Sequence, residues 1–307
     1  MKIGYPCVNT TLECKSGSTF RLKSYSEERL VKTVGNNLRC LAEILRFNVK
    51  NRILFFRITS DLIPFASHPI CRFNWQKHFE KQFLDIGDFI KKQDVRISMH
   101  PDQFTLLNSL EERVFVNSVR ELDYHAQVLD LMELDASAKI QIHIGGVYND
   151  KEKSLTRFVE RFSELDDVIK RQLVIENDDR SYNLRDCLQI NARTGIPVLF
   201  DVFHHAVNSS GETIQKAFGA FTETWKEEDG LPMVDYSSQE TGYRKGKHVE
   251  TINLTHFREF LDKSKPYDCD VMLEIKDKEV SAFSAIDIVS HDYRFSASTN
   301  MRGTSKG

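Results

Sequence analysis

Nine residues of this chain can ligate cations and stand at, or shortly after, short apolar runs: His68, His100, His143, Glu176, Asp201, His204, Asp235, His248 and Glu274. The segment Ile97–Leu106, ISMHPDQFTL, shows the setting most plainly. A run of β-formers ends in His100 and is followed by Pro101, Asp102, Gln103 and Phe104, which no buried strand tolerates. In VLFDVFHH, Asp201 and His204 are three residues apart and can serve one ion from one strand-to-loop corner, while His205 is expected to face away. Glu176 in LVIEND and Glu274 in VMLEIK end or interrupt β-like runs, where an unpaired buried carboxylate is costly. Imidazoles mixed with carboxylates, without thiolates, suit zinc or manganese better than calcium or magnesium. Nine candidates exceed the about four to six positions around one ion, so the pattern implies two or three ions. A single histidine such as His143 in KIQIHIGG is more often a hydrogen-bonded core or rim residue. The coincidence of all nine carries the metal reading.

Residues so far apart in sequence can share a site only if the fold brings strand ends together. Eight β-like runs supply those ends: Lys2–Pro6, Ile53–Ile58, Val95–Met99, Lys139–Ile144, Leu173–Ile175, Val198–Val202, Pro232–Asp235 and Val271–Ile275. Between the first two, Leu30, Val34, Leu38, Leu41 and Leu45 step by three or four, which predicts an amphipathic helix over Ser26–Val49 capped by Ser26. Further helices are expected at Trp75–Lys92, Leu110–Leu134, Ser154–Lys170, Asn183–Ala192, Thr213–Trp225, Thr255–Asp262 and near Phe283–Ile288. Eight alternating β and α segments argue for one α/β domain, a (β/α)8 TIM barrel over residues 1–290, whose strand ends meet at one mouth. A doubly wound open sheet would offer a glycine-rich turn after its first strand, but that stretch reads YPCVNTTLE. Residues 291–307 are polar and read as a mobile tail.

Composition narrows the setting. The chain has 307 residues, 40% of them hydrophobic and 28% charged, with a formal net charge of -3. Disorder is excluded, and DNA contact must come from local patches. No apolar run approaches the about 20 residues that span a bilayer, and MKIGYPCVNT turns polar too early for a signal peptide, so a cytoplasmic protein is expected. Six scattered cysteines without a C-x-x-C pair predict reduced thiols and no disulfide.

The stretches GYPCVN, RITSDLIPFASHP, SMHPDQF, HIGG, LVIENDD, FDVFHH and LEIKDKE together resemble the UV damage endonucleases, over about residues 2 to 280. The resemblance implies a metal-dependent TIM barrel related to endonuclease IV. Such an enzyme nicks double-stranded DNA immediately 5′ to cyclobutane pyrimidine dimers and related lesions, leaving a 3′-hydroxyl and a 5′-phosphate. It also implies that His68, His100, His143, Glu176, Asp201, His204, His248 and Glu274 ligate a manganese-type cluster, with zinc, magnesium or cobalt as alternatives, and that Glu176 bridges ions. Glu176, His100 and Glu274 are the expected catalytic residues. Where family members can carry a lysine and a histidine on the seventh strand, this chain has Met233 and Asp235. Asp235 can ligate and Met233 cannot replace a lysine, a departure that bears on the third ion.

By the same resemblance, Gln103 and Phe104 wedge into the duplex at the damage, and Tyr5 and Asn9 lie near the lesion. Arg244, Lys245 and Lys247, in TGYRKGKH beside His248, would contact backbone phosphates, with an ordinary solvated loop as the alternative. Lys276 and Lys278 carry the same ambiguity. His78, His125 and His256 fall in helical segments and receive no function. A monomer is the simplest form for an enzyme that must fit a bent duplex. Three functions compete: a UV-lesion endonuclease or its endonuclease IV-like abasic-site variant, a metal-dependent sugar isomerase, and a barrel that binds damaged DNA without cutting it.

Overall fold

The computed structural model describes residues 1–295. Eight parallel strands close into a barrel in sequence order: β1 Ile3–Pro6, β2 Phe55–Ile58, β3 Arg96–Met99, β4 Lys139–His143, β5 Leu173–Glu176, β6 Val198–Asp201, β7 Met233–Tyr236 and β8 Asp270–Leu273. β8 returns to β1 through Ile3–Val271 and Gly4–Met272 pairing. The (β/α)8 TIM barrel expected from the alternation of segments is therefore the fold, and each expected strand is present to within three residues at either end.

Ten helices surround the barrel among the described residues: α1 Glu27–Lys50, α2 Trp75–Lys92, α3 Glu112–Leu131, α4 Lys151–Ser163, α5 Asp167–Gln172, α6 Leu184–Thr194, α7 Val202–Val207, α8 Ile214–Thr222, α9 Leu254–Lys263 and α10 Glu279–Val289. On α1 the predicted stripe, Leu30, Val34, Leu38, Leu41 and Leu45, is buried, and the Ser26 hydroxyl accepts from the Arg29 amide at 3.2 Å. Two helices depart from the periodicity. The segment Ser154–Lys170 splits because Asp166 turns extended and starts α5. α7 was not expected. The Asp201 carboxylate accepts from the His204 amide at 2.6 Å and caps a short helix directly on the end of β6.

Two further expectations are corrected. Cys14 and Cys40 form a disulfide with Cα atoms 5.7 Å apart. The loop after β1 folds back over α1, so residues 26 apart become neighbours without any local spacing signal. The first residues of the expected tail are anchored rather than mobile. Arg294 is buried, donates to the carbonyls of Tyr267 and Leu261, and its own carbonyl accepts from the N-terminal amine at 2.6 Å. Residues 296–307 lie outside the described residues.

Barrel closure leaves no room at Gly4, where a Cβ would sit 2.1 Å from the Phe55 carbonyl oxygen on β2. Gly4→Ala must push β1 from β2 and should cost about 1–3 kcal/mol of unfolding free energy. Urea unfolding followed by circular dichroism checks this, with an unshifted midpoint as the contrary result.

Candidate metal centre and nucleic-acid interface

The carboxyl ends of the strands deliver the functional side chains to one mouth. His143, Glu176 and Asp201 are the last residues of β4, β5 and β6, Asp235 lies on β7, and His100 and Glu274 directly follow β3 and β8. Three overlapping groups result, each with ligand atoms within 4.8 Å of one another: His100, His143 and Glu176; Glu176, Asp201 and His204; and Asp201, Asp235 and Glu274. Glu176 and Asp201 each belong to two of them.

Hydrogen bonds fix the rings. His100 Nδ1 donates to the Pro101 carbonyl at 2.7 Å, leaving Nε2 3.7 Å from Glu176 Oε2. His204 Nδ1 lies 3.1 Å from Glu176 Oε1 and 2.9 Å from the Asn177 carbonyl. His248 Nδ1 meets the Glu274 carbonyl at 2.9 Å, at the edge of the centre and outside the three groups. His143 Nδ1 and Asp201 Oδ2 are buried without a hydrogen-bond partner among the described residues. Buried orphaned lone pairs at the centre of two imidazole–carboxylate groups fit divalent cations.

Burying so many carboxylates has a readable effect. Burial lifts Asp201 to about 7 and Asp235 well above the usual carboxylate range. Glu176 is pulled down instead, because His143, His204 and His100 outweigh its burial. Burial alone would depress His204, but Asp201 and Glu176 raise it to about 11. Burial takes His100 to about 4.

Not every candidate joins the centre. His68 is exposed on the loop after β2, accepts the Ile70 amide at 3.1 Å, and shares a cleft of about 470 Å³ with Asp102 and Phe104. Tyr5 and Asn9 are also displaced from their expected role. Tyr5 points outward between β1 and α1 and is fully buried, with its hydroxyl 2.7 Å from Asn48 Oδ1 and 2.8 Å from Asn9 Nδ2. The Asn9 side-chain oxygen accepts from the Thr11 and Leu12 amides, so both residues build the loop rather than face a ligand.

Above the centre opens a cavity of about 1230 Å³, lined by Arg57, His100, Gln103, Phe104, Tyr243, Arg244, Lys247, His248, Glu274, Lys276 and Lys278 among others. Phe104 is 76% exposed, so it does not cap the core. Gln239 stitches the basic loop, accepting from the Gly246 amide and donating to the Arg244 carbonyl. Lys247 lies over the Tyr243 ring. Lys245 turns to the other side of the loop and donates to the Val207 carbonyl at 2.8 Å.

With this geometry in view, the chain can be set beside known proteins. A sequence model described as UV-endonuclease UvdE matches residues 1–297. The chain belongs to that family. It is 39% identical over 289 residues to a UV DNA damage endonuclease of Clostridium perfringens (strain 13 / Type A), covering 94% of this chain and 70% of that protein. The crystal structure of SacUVDE superposes with a TM-score of 0.91 at 47% identity, covering 94% of this chain and 98% of that one. Endonuclease IV from Thermus thermophilus shares the fold alone, at TM-score 0.58 and 14% identity over 94% of this chain and 98% of that one. The fold is likewise shared with a D-psicose 3-epimerase from Clostridium cellulolyticum H10, at 0.57 and 12% over the same shares of each chain.

Three residues of this UvdE-family centre escaped the sequence reading. Arg57 and Gln141 are polar residues within apolar strands, the same signal that marked Glu176. Gln141 Nε2 donates to Glu176 at 2.9 Å and to Asp235 at 2.8 Å. His125, on α3, sits 3.1 Å from the Ser60 hydroxyl, which is 2.6 Å from the His100 carbonyl, so it supports the loop that carries His100.

Burial holds the His125 ring neutral in the fold, taking it to about 4 from an ordinary value near 6.5. The unfolded chain then binds the extra proton between these values. Its contribution to stability is complete above about pH 6.5 and declines as the pH falls toward 4. Urea unfolding across that window should show stability rising with pH, with a shallower slope in His125→Gln; an identical slope would remove this ring from the linkage.

Proposed function

We propose that this UvdE-family endonuclease nicks double-stranded DNA immediately 5′ to cyclobutane pyrimidine dimers and related UV photoproducts, using two or three divalent ions, manganese first. The product is a 3′-hydroxyl and a 5′-phosphate, and the enzyme works as a cytoplasmic monomer. The observation that carries this reading is the meeting of two imidazole–carboxylate groups and one acidic group beneath a cavity rimmed by an exposed aromatic and basic side chains, in a chain of this family.

His100, His143 and Glu176 form one ligand set, Glu176, Asp201 and His204 a second, and Asp235 and Glu274 belong to the remaining acidic group beside His248. Divalent ions held by these residues would supply an activated water and charge neutralisation at the attacked phosphate. Glu176 stands at the shared corner, its carboxyl held below the usual range against burial by His143, His204 and His100. Arg244 and Lys247 stand on the cavity wall where backbone phosphates would pass. Gln103 and Phe104 project beyond His100, so a polar tip and an aromatic face reach the duplex while the histidine stays below.

The mouth is a poor match to a small polyol. Its volume of about 1230 Å³ exceeds the roughly 300–1,000 Å³ of typical small-molecule sites, and its rim is cationic and aromatic.

A duplex with one cyclobutane dimer, incubated with the protein and manganese, should be cut at the phosphodiester 5′ to the dimer. Glu176→Gln should lower the rate by more than about 100-fold, beyond the usual effect of removing an outer-shell partner. No nick beside the dimer overturns the reading, and a nick at abasic sites alone moves it to abasic-site cleavage. Phe104→Ala should weaken binding of the damaged duplex by roughly 1–3 kcal/mol, the worth of one base–aromatic stack, and leave intact duplex unaffected. Equal losses on both duplexes in a titration would assign Phe104 to general binding.

A further inference from the structure

The third acidic group differs from the other two in already holding a cation. Arg57, on β2, reaches across the barrel interior between Asp235 and Glu274. Its Nη2 lies 2.7 Å from both Asp235 oxygens, and its Nη1 donates to Glu274 Oε1. Asp235 Oδ2 also accepts from Gln141, so both oxygens of this carboxylate are taken. The guanidinium is 3% exposed and Asp235 fully buried, so neither can swing into solvent to release the other. Among the described residues Glu176 and Asp201, by contrast, have ion pairs only to histidine, a side chain that can exchange its proton for a metal ion. The Arg57 guanidinium, bracketed by Asp235 and Glu274, is a fixed cation, since arginine does not lose its proton in proteins. A divalent ion among the same carboxylates would stand within a few ångströms of that fixed charge. On β7, Met233 occupies the inward position two residues before Asp235, is fully buried, and offers no hard donor.

We propose that the centre is built for two divalent ions, one in the His100–His143–Glu176 group and one in the Glu176–Asp201–His204 group, and that Arg57 occupies the third cation position between Asp235 and Glu274. This rests on the metal-dependent reading above. Arg57 acts as a positioning residue: it pairs with two carboxylates, orients Glu274 against the mouth, and excludes an ion from their midst. The strength of this third cation is independent of metal concentration, because it is covalently part of the chain.

Crystals soaked in manganese chloride and measured at the manganese absorption edge locate each ion. Two anomalous peaks, one in each imidazole-containing group, are expected in the wild type. Arg57→Gln removes the fixed charge and should show a third peak between Asp235 and Glu274, with manganese per chain by elemental analysis rising from two to three. A third peak in the wild type overturns the role of Arg57 and leaves the metal reading standing. Fewer than two peaks in the wild type removes the metal reading itself, and the proposal with it. A folded Arg57→Gln protein with only two peaks also overturns the proposal, and the wild-type positions decide the matter if that variant does not fold.

Discussion

The structure depends on one constraint: four carboxylates, Glu176, Asp201, Asp235 and Glu274, are brought out of water at neighbouring strand ends. Desolvation of one such group is costly, and mutual repulsion raises the cost of the next. The chain answers in two ways. Where fixed or titratable cations are close, the carboxylate stays ionised, as for Glu176 among three histidines and Glu274 against Arg57. Where burial and like charges dominate, the carboxyl group is pushed upward instead, as for Asp201 and Asp235.

Such a centre needs rigid walls, and the supporting contacts come from elements far in sequence. Asn177 and Asp201 exchange hydrogen bonds at 2.9 Å, the Asn177 side-chain amide to the Asp201 carbonyl and the Asp201 backbone amide to the Asn177 side-chain oxygen, locking the ends of β5 and β6 together. Tyr124 on α3 accepts from the Ile63 amide and donates to the Ser60 carbonyl, which holds the loop beneath His100. Glu279, fully buried at the start of α10, receives the amides and hydroxyls of both Thr10 and Thr11, pinning the loop after β1. That loop is further tied to α1 by the Cys14–Cys40 bond.

How much of this was legible in the sequence follows from the range of the interactions. Periodicity and turn residues act locally, so eight strands and their order were readable, as was the placement of His100, His143, Glu176, Asp201 and His204 at strand ends. What a strand-end residue faces is decided by its parity in the pleat and by the loop's path. That is why His68 left the centre and Tyr5 turned outward to Asn48. Asp235 was placed at the site, where it meets Asp201 and Glu274, but its pairing with Arg57 was not foreseen, because nothing local to PMVD records a guanidinium arriving from β2. The Arg57 signal was present in ILFFRI, a charge in a run buried on every side, and the reasoning that flagged Glu176 applies to it unchanged. The disulfide had no local signal, since its partners meet only when a loop folds back.

The opposite end of the barrel shows what the mouth would look like were it only structural. There Arg96, Lys139, Asp229 and Asp270 are buried at the amino ends of the strands, two cations against two anions. Lys139 pairs with Asp229, Arg96 Nη1 lies 3.6 Å from Asp270, and both cations stand about 6 Å from the Trp225 ring centre, at 5.9 and 5.8 Å. Arg96 also donates to the Asp229 carbonyl, and Lys139 to the Arg171 carbonyl. Charge is balanced within the protein, and nothing further is required of solvent or ligand. At the mouth four carboxylates face one guanidinium, with imidazoles making up the difference only when protonated. Two ends of one barrel, burying polar groups at similar depth, thus differ in a single respect: the lower is neutral by sequence, whereas the upper is left anionic beneath an open cavity. An excess of buried negative charge that the fold itself does not neutralise is an investment a purely structural network would not make, and it is the physical reason to place cation-dependent chemistry at that end.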